Sequence, residues 1–194
     1  MEPIIFDPNS ANTQSSSTAA TYIRICSFLA PNISVLDYSA GKGHGSDIMR
    51  RICTNVKSYE PFPVNWHGTK PVDYTSHSNI PSNSADFVTN IHALNVVPLQ
   101  TRNFIVSDIS RIVKNGGIAI FAAREKIRAK SKIPTNETNG YLVQNQGLTV
   151  YQKAFTIREL KGYLSEQLPN WKVWNSGRLV VCQKPETLDT SGAN

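Results

Sequence analysis

Asp37 closes the apolar run Ile33-Ser34-Val35-Leu36, and after Tyr38 come Ser39, Ala40, Gly41, Lys42, Gly43, His44 and Gly45. A carboxylate at the end of a buried strand, followed by small residues, lets the backbone come close to a ligand. A second acid, Glu60, ends another stretch with strand character and stands before Pro61 and Pro63. Two phosphate chemistries fit this loop poorly. A triphosphate loop needs Gly-Lys-Ser/Thr, whereas Lys42 is followed by Gly43. A dinucleotide loop needs Gly-x-Gly-x-x-Gly, and counting from Gly41 the third glycine is replaced by Ser46. Asp37 would also face a pyrophosphate with like charge. It suits a cationic ligand instead, while Glu60 can accept hydrogen bonds from ribose hydroxyls. The two acids together fit a ligand with a ribose and a positive centre but no phosphate.

Strands and helices must position these residues, and the periodicity places them. Tyr22, Ile25, Cys26 and Leu29 stand at helical spacing, with Pro31 as the stop. "ISVLDY" reads as a strand, "GSDIMRRICTN" as a helix capped by Ser46 or Asp47, and "VKSYEP" as a second strand. "PVDYT" is a candidate third strand, and "SADFVTNIHAL" contains a fourth. "RNFIVSDISRIVKNGG" reads as a helix closed by Gly116 and Gly117, before the apolar fifth strand "IAIFAA". "TIRELKGYLSEQL" opens with Thr156 and has Glu159 three residues on, a capping box. "WKVWNSGRLVVCQK" reads as a hairpin about Ser176-Gly177. Strands alternating with helices predict a single α/β domain over 1–194, doubly wound and three-layered. Its sheet is mostly parallel, with a C-terminal antiparallel hairpin. Residues 1–18 are expected to run over the surface, and 186–194 to be a frayed tail.

Val35-Leu36-Asp37-Tyr38-Ser39-Ala40-Gly41-Lys42-Gly43 resembles motif I of the class I S-adenosylmethionine-dependent methyltransferases. Glu60 matches the acid at the end of their second strand. "SADFVTNIHALNVVP" is similar to their fourth-strand segment, and "ISRIVKNGGIAIF" to their helix, glycine turn and fifth strand. The resemblance covers about Val35 to Phe121. It implies S-adenosyl-L-methionine as cofactor, held by Asp37, Ser39, Ala40, Gly41, Gly43, Glu60, Pro61, Asp73, Tyr74, Asn90 and His92. Ser39 replaces the first motif glycine, which an ordinary backbone conformation there would tolerate. His92 is the candidate general base, with an ordinary pKa of about 6.5. His44, His67 and His77 are read as loop residues, and no metal is expected. The second function class is a methyltransferase-like protein that binds the cofactor as an interaction or regulatory module without transferring methyl groups.

The acceptor has to be read from charge. "REKIRAKSK", Arg124 to Lys132, carries five basic residues and one acid in a chain of net charge +6. A cluster of this kind marks a face rather than a diffusely basic protein. Residues 124–150 are read as a mobile lid or substrate-binding loop hinged at Gly140 and Gly147, with Arg124, Lys126, Arg128 and Tyr141 meeting an anionic small molecule, peptide or RNA. Methylation of bases in duplex DNA is disfavoured, because "NIHA" stands where amino-methyltransferases resemble one another in Asn/Asp-Pro-Pro-Tyr, and no Pro-Cys nucleophile is near. Cys26, Cys53 and Cys182 lack metal-ligand spacing and fit a reducing compartment. The opening "MEPIIFDPNSAN" lacks the pattern of a secretory signal, and no apolar run reaches membrane-span length. A cytoplasmic location without membrane contact follows as the expectation.

Overall fold

A computed structural model describes residues 16–128, 131–145 and 148–186. The expected N-terminal surface segment up to residue 15, Lys130, Gly147 and the tail from residue 187 lie outside the described residues. In chain order the elements are helix α1 (Ser16–Ile25), strand β1 (Ser34–Tyr38), α2 (His44–Met49), β2 (Asn55–Tyr59) and β3 (Ala85–Ile91). They continue with α3 (Leu99–Ile112), β4 (Val113–Ala122), β5 (Lys132–Pro134), β6 (Gly140–Asn145) and β7 (Leu148–Lys153). Helix α4 (Ile157–Gln167), β8 (Lys172–Ser176) and β9 (Leu179–Gln183) follow.

The main sheet has the order β2-β1-β3-β4-β9-β8, parallel across its first four strands and antiparallel from β4 through β9 to β8. Alternation along the strands explains its three layers. Leu36, Val88, Ala119, Phe121, Val180 and Cys182 face α3 and α4, meeting Ile105, Val106, Ile109, Leu160 and Leu164. Val35, Phe87, Ile120 and Val181 face the other way, against Tyr22 and Ile25 of α1 and Met49 of α2. No helix of the described residues is long and apolar enough to cross a membrane.

Three local expectations are corrected. "PVDYT" makes a single parallel bridge, Tyr74 to Tyr59, rather than a strand. Its Pro71 and the side chain of Asp73, which bonds β2 directly, leave little backbone to form a ladder. Gly116 and Gly117 do not close a helix: α3 ends at Ile112, and both glycines lie inside β4. There the register against β3 jumps from Ala85–Val113 to Phe87–Ile118. Gly116 takes a φ of +75°, as a bulge requires. Helix α2 is not capped by Ser46 or Asp47; it begins at His44, behind Gly43. Both side chains are engaged elsewhere, Ser46 with Asp37 and Asp47 with Thr69. The capping box at Thr156 and Glu159 forms as read, and so does the hairpin about Gly177.

The segment read as a mobile lid or substrate-binding loop contains a second sheet, ordered β5-β6-β7 and antiparallel. Val143 and its register partner Val150 are buried on one face of this small sheet, and Tyr151 is buried on the other. Gly140 is packed within it, where an added Cβ would come within 2.5 Å of Thr135 Oγ1.

Candidate active site

Strands β2, β1, β3 and β4 run parallel and deliver their following loops to one edge of the sheet. The chain leaves β1 for β2 on one side and returns to β3 on the other, so a crevice is expected between β1 and β3 at that edge. The glycine loop stands there. Ala40 N–H bonds Tyr59 O at 2.9 Å, tying the loop to β2. Gly41 and Gly43 have φ of +61° and +83°. At Gly43 an added Cβ would also meet the Trp66 ring at 2.8 Å and Gly68 Cα at 2.9 Å. Strain and space both demand glycine here.

Ser39 departs from expectation. Its φ is +61°, so a non-glycine residue occupies the left-handed region at the position of the first motif glycine. The ordinary backbone conformation assumed from the sequence is not the one adopted.

Asp37 lies beneath the loop rather than on its surface. It is fully buried. One carboxylate oxygen accepts from Tyr22 Oη at 2.7 Å and Thr89 Oγ1 at 2.8 Å, and the other from Ser46 Oγ at 2.7 Å. Burial raises its pKa, and the three hydroxyl donors work against that rise. The residue therefore joins α1, α2 and β3 to β1. Tyr22, Ser46 and Thr89 carry no motif and were missed from sequence. Gly45 shares in the arrangement, since its Cβ would run into the Tyr22 ring at 2.1 Å.

Glu60 reaches back from β2 to the loop. Oε2 accepts the Gly41 N–H at 2.7 Å and Oε1 the Phe62 N–H at 3.1 Å. Burial pushes its pKa up to about 7, the two backbone donors oppose this, and the charge on Asp37 adds to it. Among the described residues neither Asp37 nor Glu60 takes part in an ion pair. Two buried carboxylates without an ion-pair partner are costly unless hydrogen bonds or a ligand complete them.

Two orphaned polar atoms stand at the end of β3. Asn90 is fully buried; its Nδ2 donates to Tyr38 O at 3.2 Å, while Oδ1 has no partner. His92 has a φ of +65°, its N–H bonds Ala122 O at 2.8 Å, and its buried Nδ1 is unpartnered. Burial, then the charge of Arg124, lowers its pKa to about 4. So weak a base is mismatched to proton abstraction at neutral pH.

The remaining candidates divide. Pro61 is half-buried beside Glu60. Asp73 is committed to Ser58, accepting from its N–H at 2.8 Å and its hydroxyl at 3.0 Å, with Arg50 at 3.6 Å. Tyr74 is joined to β2 through Ser58 O and Glu60 N–H, and its hydroxyl accepts from Lys57 at 3.1 Å. Lys126 and Arg128 are exposed, and Lys132 lies 5.5 Å from the Tyr141 ring centroid. His44 and His67 stack at 6.3 Å and His77 meets Phe104 edge-on at 4.8 Å. Among the described residues no group of three or more His, Cys, Asp or Glu is placed to hold a metal.

The second sheet is fastened beside this site. Arg102 of α3, 1% exposed, bonds Val97 O at 2.8 Å and pairs with Glu137, which also accepts from Tyr151 Oη. Asn95 donates through Nδ2 to Arg124 O and Lys153 O, and its Oδ1 accepts from Arg124 N–H. Neither anchor was foreseen.

The fold is similar to those of several solved structures. The chain superposes on 1,6-didemethyltoxoflavin-N1-methyltransferase from Burkholderia thailandensis, whose crystal holds 1,6-didemethyltoxoflavin and S-adenosylhomocysteine. The TM-score is 0.65 at 15% identity, covering 88% of this chain and 79% of the other. It superposes on the sugar N-methyltransferase KedS8 of a Streptoalloteichus species with a TM-score of 0.61 at 12% identity, covering 88% of each chain. An S-adenosylmethionine-dependent methyltransferase from Mesorhizobium loti gives 0.58 at 11% identity, with 87% and 99% covered. The fold is that of the class I methyltransferases. At these identities the likeness speaks for the fold alone. No protein-family model matches the chain, and no curated protein matches it in sequence.

Proposed function

We propose that this class I methyltransferase fold is an S-adenosyl-L-methionine-dependent methyltransferase. The observation that carries the reading is the pair of buried, ion-pair-free carboxylates, Asp37 and Glu60, flanking a loop shaped by Gly41 and Gly43. A ligand with a positive centre and a ribose relieves both, and the orphaned Asn90 Oδ1 supplies an acceptor for an ammonium N–H. Crystals of two structural neighbours that hold S-adenosylhomocysteine support the same cofactor class.

In this reading Glu60 exchanges its Gly41 and Phe62 donors for ribose hydroxyls, beside Pro61. Ser39, Ala40, Gly41 and Gly43 offer backbone to the methionine portion. Asp37 acts from below, through its negative field and by fixing the loop. Asp73 and Tyr74 support β2 and the Glu60 backbone. When bound, the cofactor supplies an activated methyl group. The chain's task is then to align the acceptor and exclude water, which needs no strong base. His92, held neutral, serves as a hydrogen-bonding wall rather than a proton acceptor. Half-buried Tyr141 of the second sheet is proposed to line the acceptor side, with the exposed Lys126 and Arg128 adding only a surrounding positive field for an anionic acceptor.

Isothermal calorimetry tests the reading. S-adenosylmethionine and S-adenosylhomocysteine are expected to bind, while NAD and ATP leave no heat beyond dilution. Saturation at 100 times the dissociation constant should add about 2.7 kcal/mol of stability. Binding of NAD in place of the adenosyl ligands would refute the assignment.

A further inference from the structure

Four arginines of the described residues are not exposed: Arg50, Arg102, Arg111 and Arg124. Arg50 pairs with Asp47 and Asp73, Arg102 with Glu137, and Arg111 with Asp108. Arg124 alone among them has no acid and no hydrogen bond on its side chain from the described residues. The neighbouring acid, Glu125, lies instead 3.8 Å from Arg178. Yet the Arg124 backbone is held firmly. Its N–H donates to Asn95 Oδ1 at 2.7 Å, and its carbonyl accepts from Asn95 Nδ2 at 3.2 Å and Phe155 N–H at 2.9 Å. A half-buried, unpaired guanidinium on a fixed backbone presents a planar set of donors suited to a carboxylate or phosphate.

Its location gives the anion a role. Ile91 pairs with Ala122 in the β3–β4 ladder, and His92 N–H bonds Ala122 O at 2.8 Å. This sets His92 and Arg124 together at the carboxyl ends of β3 and β4, beside Asn90. The charge of Arg124 is felt at His92, whose unpartnered Nδ1 is buried. With its hydrogen on Nδ1, a neutral ring adds a second donor for the same oxyanion.

We infer that Arg124 and His92 form an oxyanion-binding subsite, so that the methyl acceptor is a small molecule carrying a carboxylate or phosphate. The inference rests on the methyltransferase reading for the word acceptor, but the subsite itself does not depend on it. The exposed Lys126 and Arg128 then contribute a surrounding field and not the contact.

The test is calorimetry on protein saturated with S-adenosylhomocysteine, titrated with benzoate, its neutral counterpart benzamide, and inorganic phosphate. Benzoate or phosphate should bind and benzamide should not. Arg124→Gln should weaken the anion on the order of 10- to 100-fold, with Arg124→Lys intermediate and His92→Asn milder. Lys126→Gln combined with Arg128→Gln should leave the affinity within about threefold, as expected for exposed charges. Benzoate against phosphate distinguishes the two anion sources. Absence of binding by both, equal binding of benzamide, or an unaltered Arg124→Gln protein would overturn the subsite. Failure of S-adenosylhomocysteine itself to bind would defeat the cofactor reading instead, and the same titrations on ligand-free protein would still decide the subsite.

Discussion

Glu60 Oε2 accepts the Gly41 N–H at 2.7 Å, so the acid that ends β2 closes onto the glycine loop that follows β1. The same oxygen is the one proposed to receive a ribose hydroxyl. Loop and ligand therefore compete for one carboxylate, and both are donors that favour its ionised form.

From this comes a pH dependence. Burial raises the Glu60 pKa from 4.5 to about 7. Folding thus favours the protonated acid: the group's contribution to stability is fully present below 4.5 and is lost as pH rises through 7. Hydroxyl donors on a ligand favour the ionised acid instead. Affinity for S-adenosylhomocysteine should rise between pH 6 and 8, and Glu60→Gln should flatten that rise. A wild-type affinity that is level across this window would contradict the assignment.

Asp37→Ala should destabilise the fold as well as weaken the ligand. It strips the common acceptor from the buried hydroxyls of Tyr22, Ser46 and Thr89. Roughly 2–4 kcal/mol is expected, since each stranded donor costs about 1–3 kcal/mol and some relax. Urea denaturation measures it; a midpoint equal to wild type would show that these hydroxyls find other partners.

Ser39→Gly should stabilise the ligand-free protein or leave it unchanged. Relief of the left-handed conformation, about 1–2 kcal/mol, offsets the extra freedom glycine gives the unfolded chain. Ser39→Val should lose at least about 1 kcal/mol, because a β-branched residue resists positive φ more strongly. The same denaturation series reads both, and equal midpoints for the two variants would contradict the strain at this position.

Much of this was legible because it is local. Asp37 and the glycines follow one another within a few residues, as do Thr156 and Glu159 in their capping box, and Glu60 stands out as an acid that ends a strand before Pro61. The surroundings of Asp37 were not legible: Tyr22 is 15 positions away, Ser46 is 9 and Thr89 is 52. The Ser39 backbone was misread because only the assembled loop imposes its φ. Gly116 and Gly117 look like a helix stop, since a bulge and a cap ask for the same residue. Strands β6 and β7 escaped notice because Gln144, Asn145, Gln152 and Lys153 dilute their alternation. Arg102 gave no sign in sequence that it is buried.

Arg102→Met should separate the second sheet from the body more than it disturbs the main sheet. Loss of the guanidinium leaves Glu137 with Tyr151 and Lys153 as its partners. Amide exchange should quicken at Val143 and Val150, with Val88 and Ile120 little affected. Uniform acceleration at all four would mean that the contact supports the whole domain.

The placing of that sheet bears on how the chain assembles. β4 must find β9 across the whole of β5, β6, β7, α4 and β8, and only then are the apolar faces of Val180, Val181 and Cys182 covered. Closing a long loop grows costlier only with the logarithm of its length. A hairpin such as β6–β7, formed from near neighbours, shortens the effective span before the ends meet. The stretch between β4 and α4 is thus the part of the chain where added residues would slow folding least, and where the acceptor side of the site has most freedom to diverge.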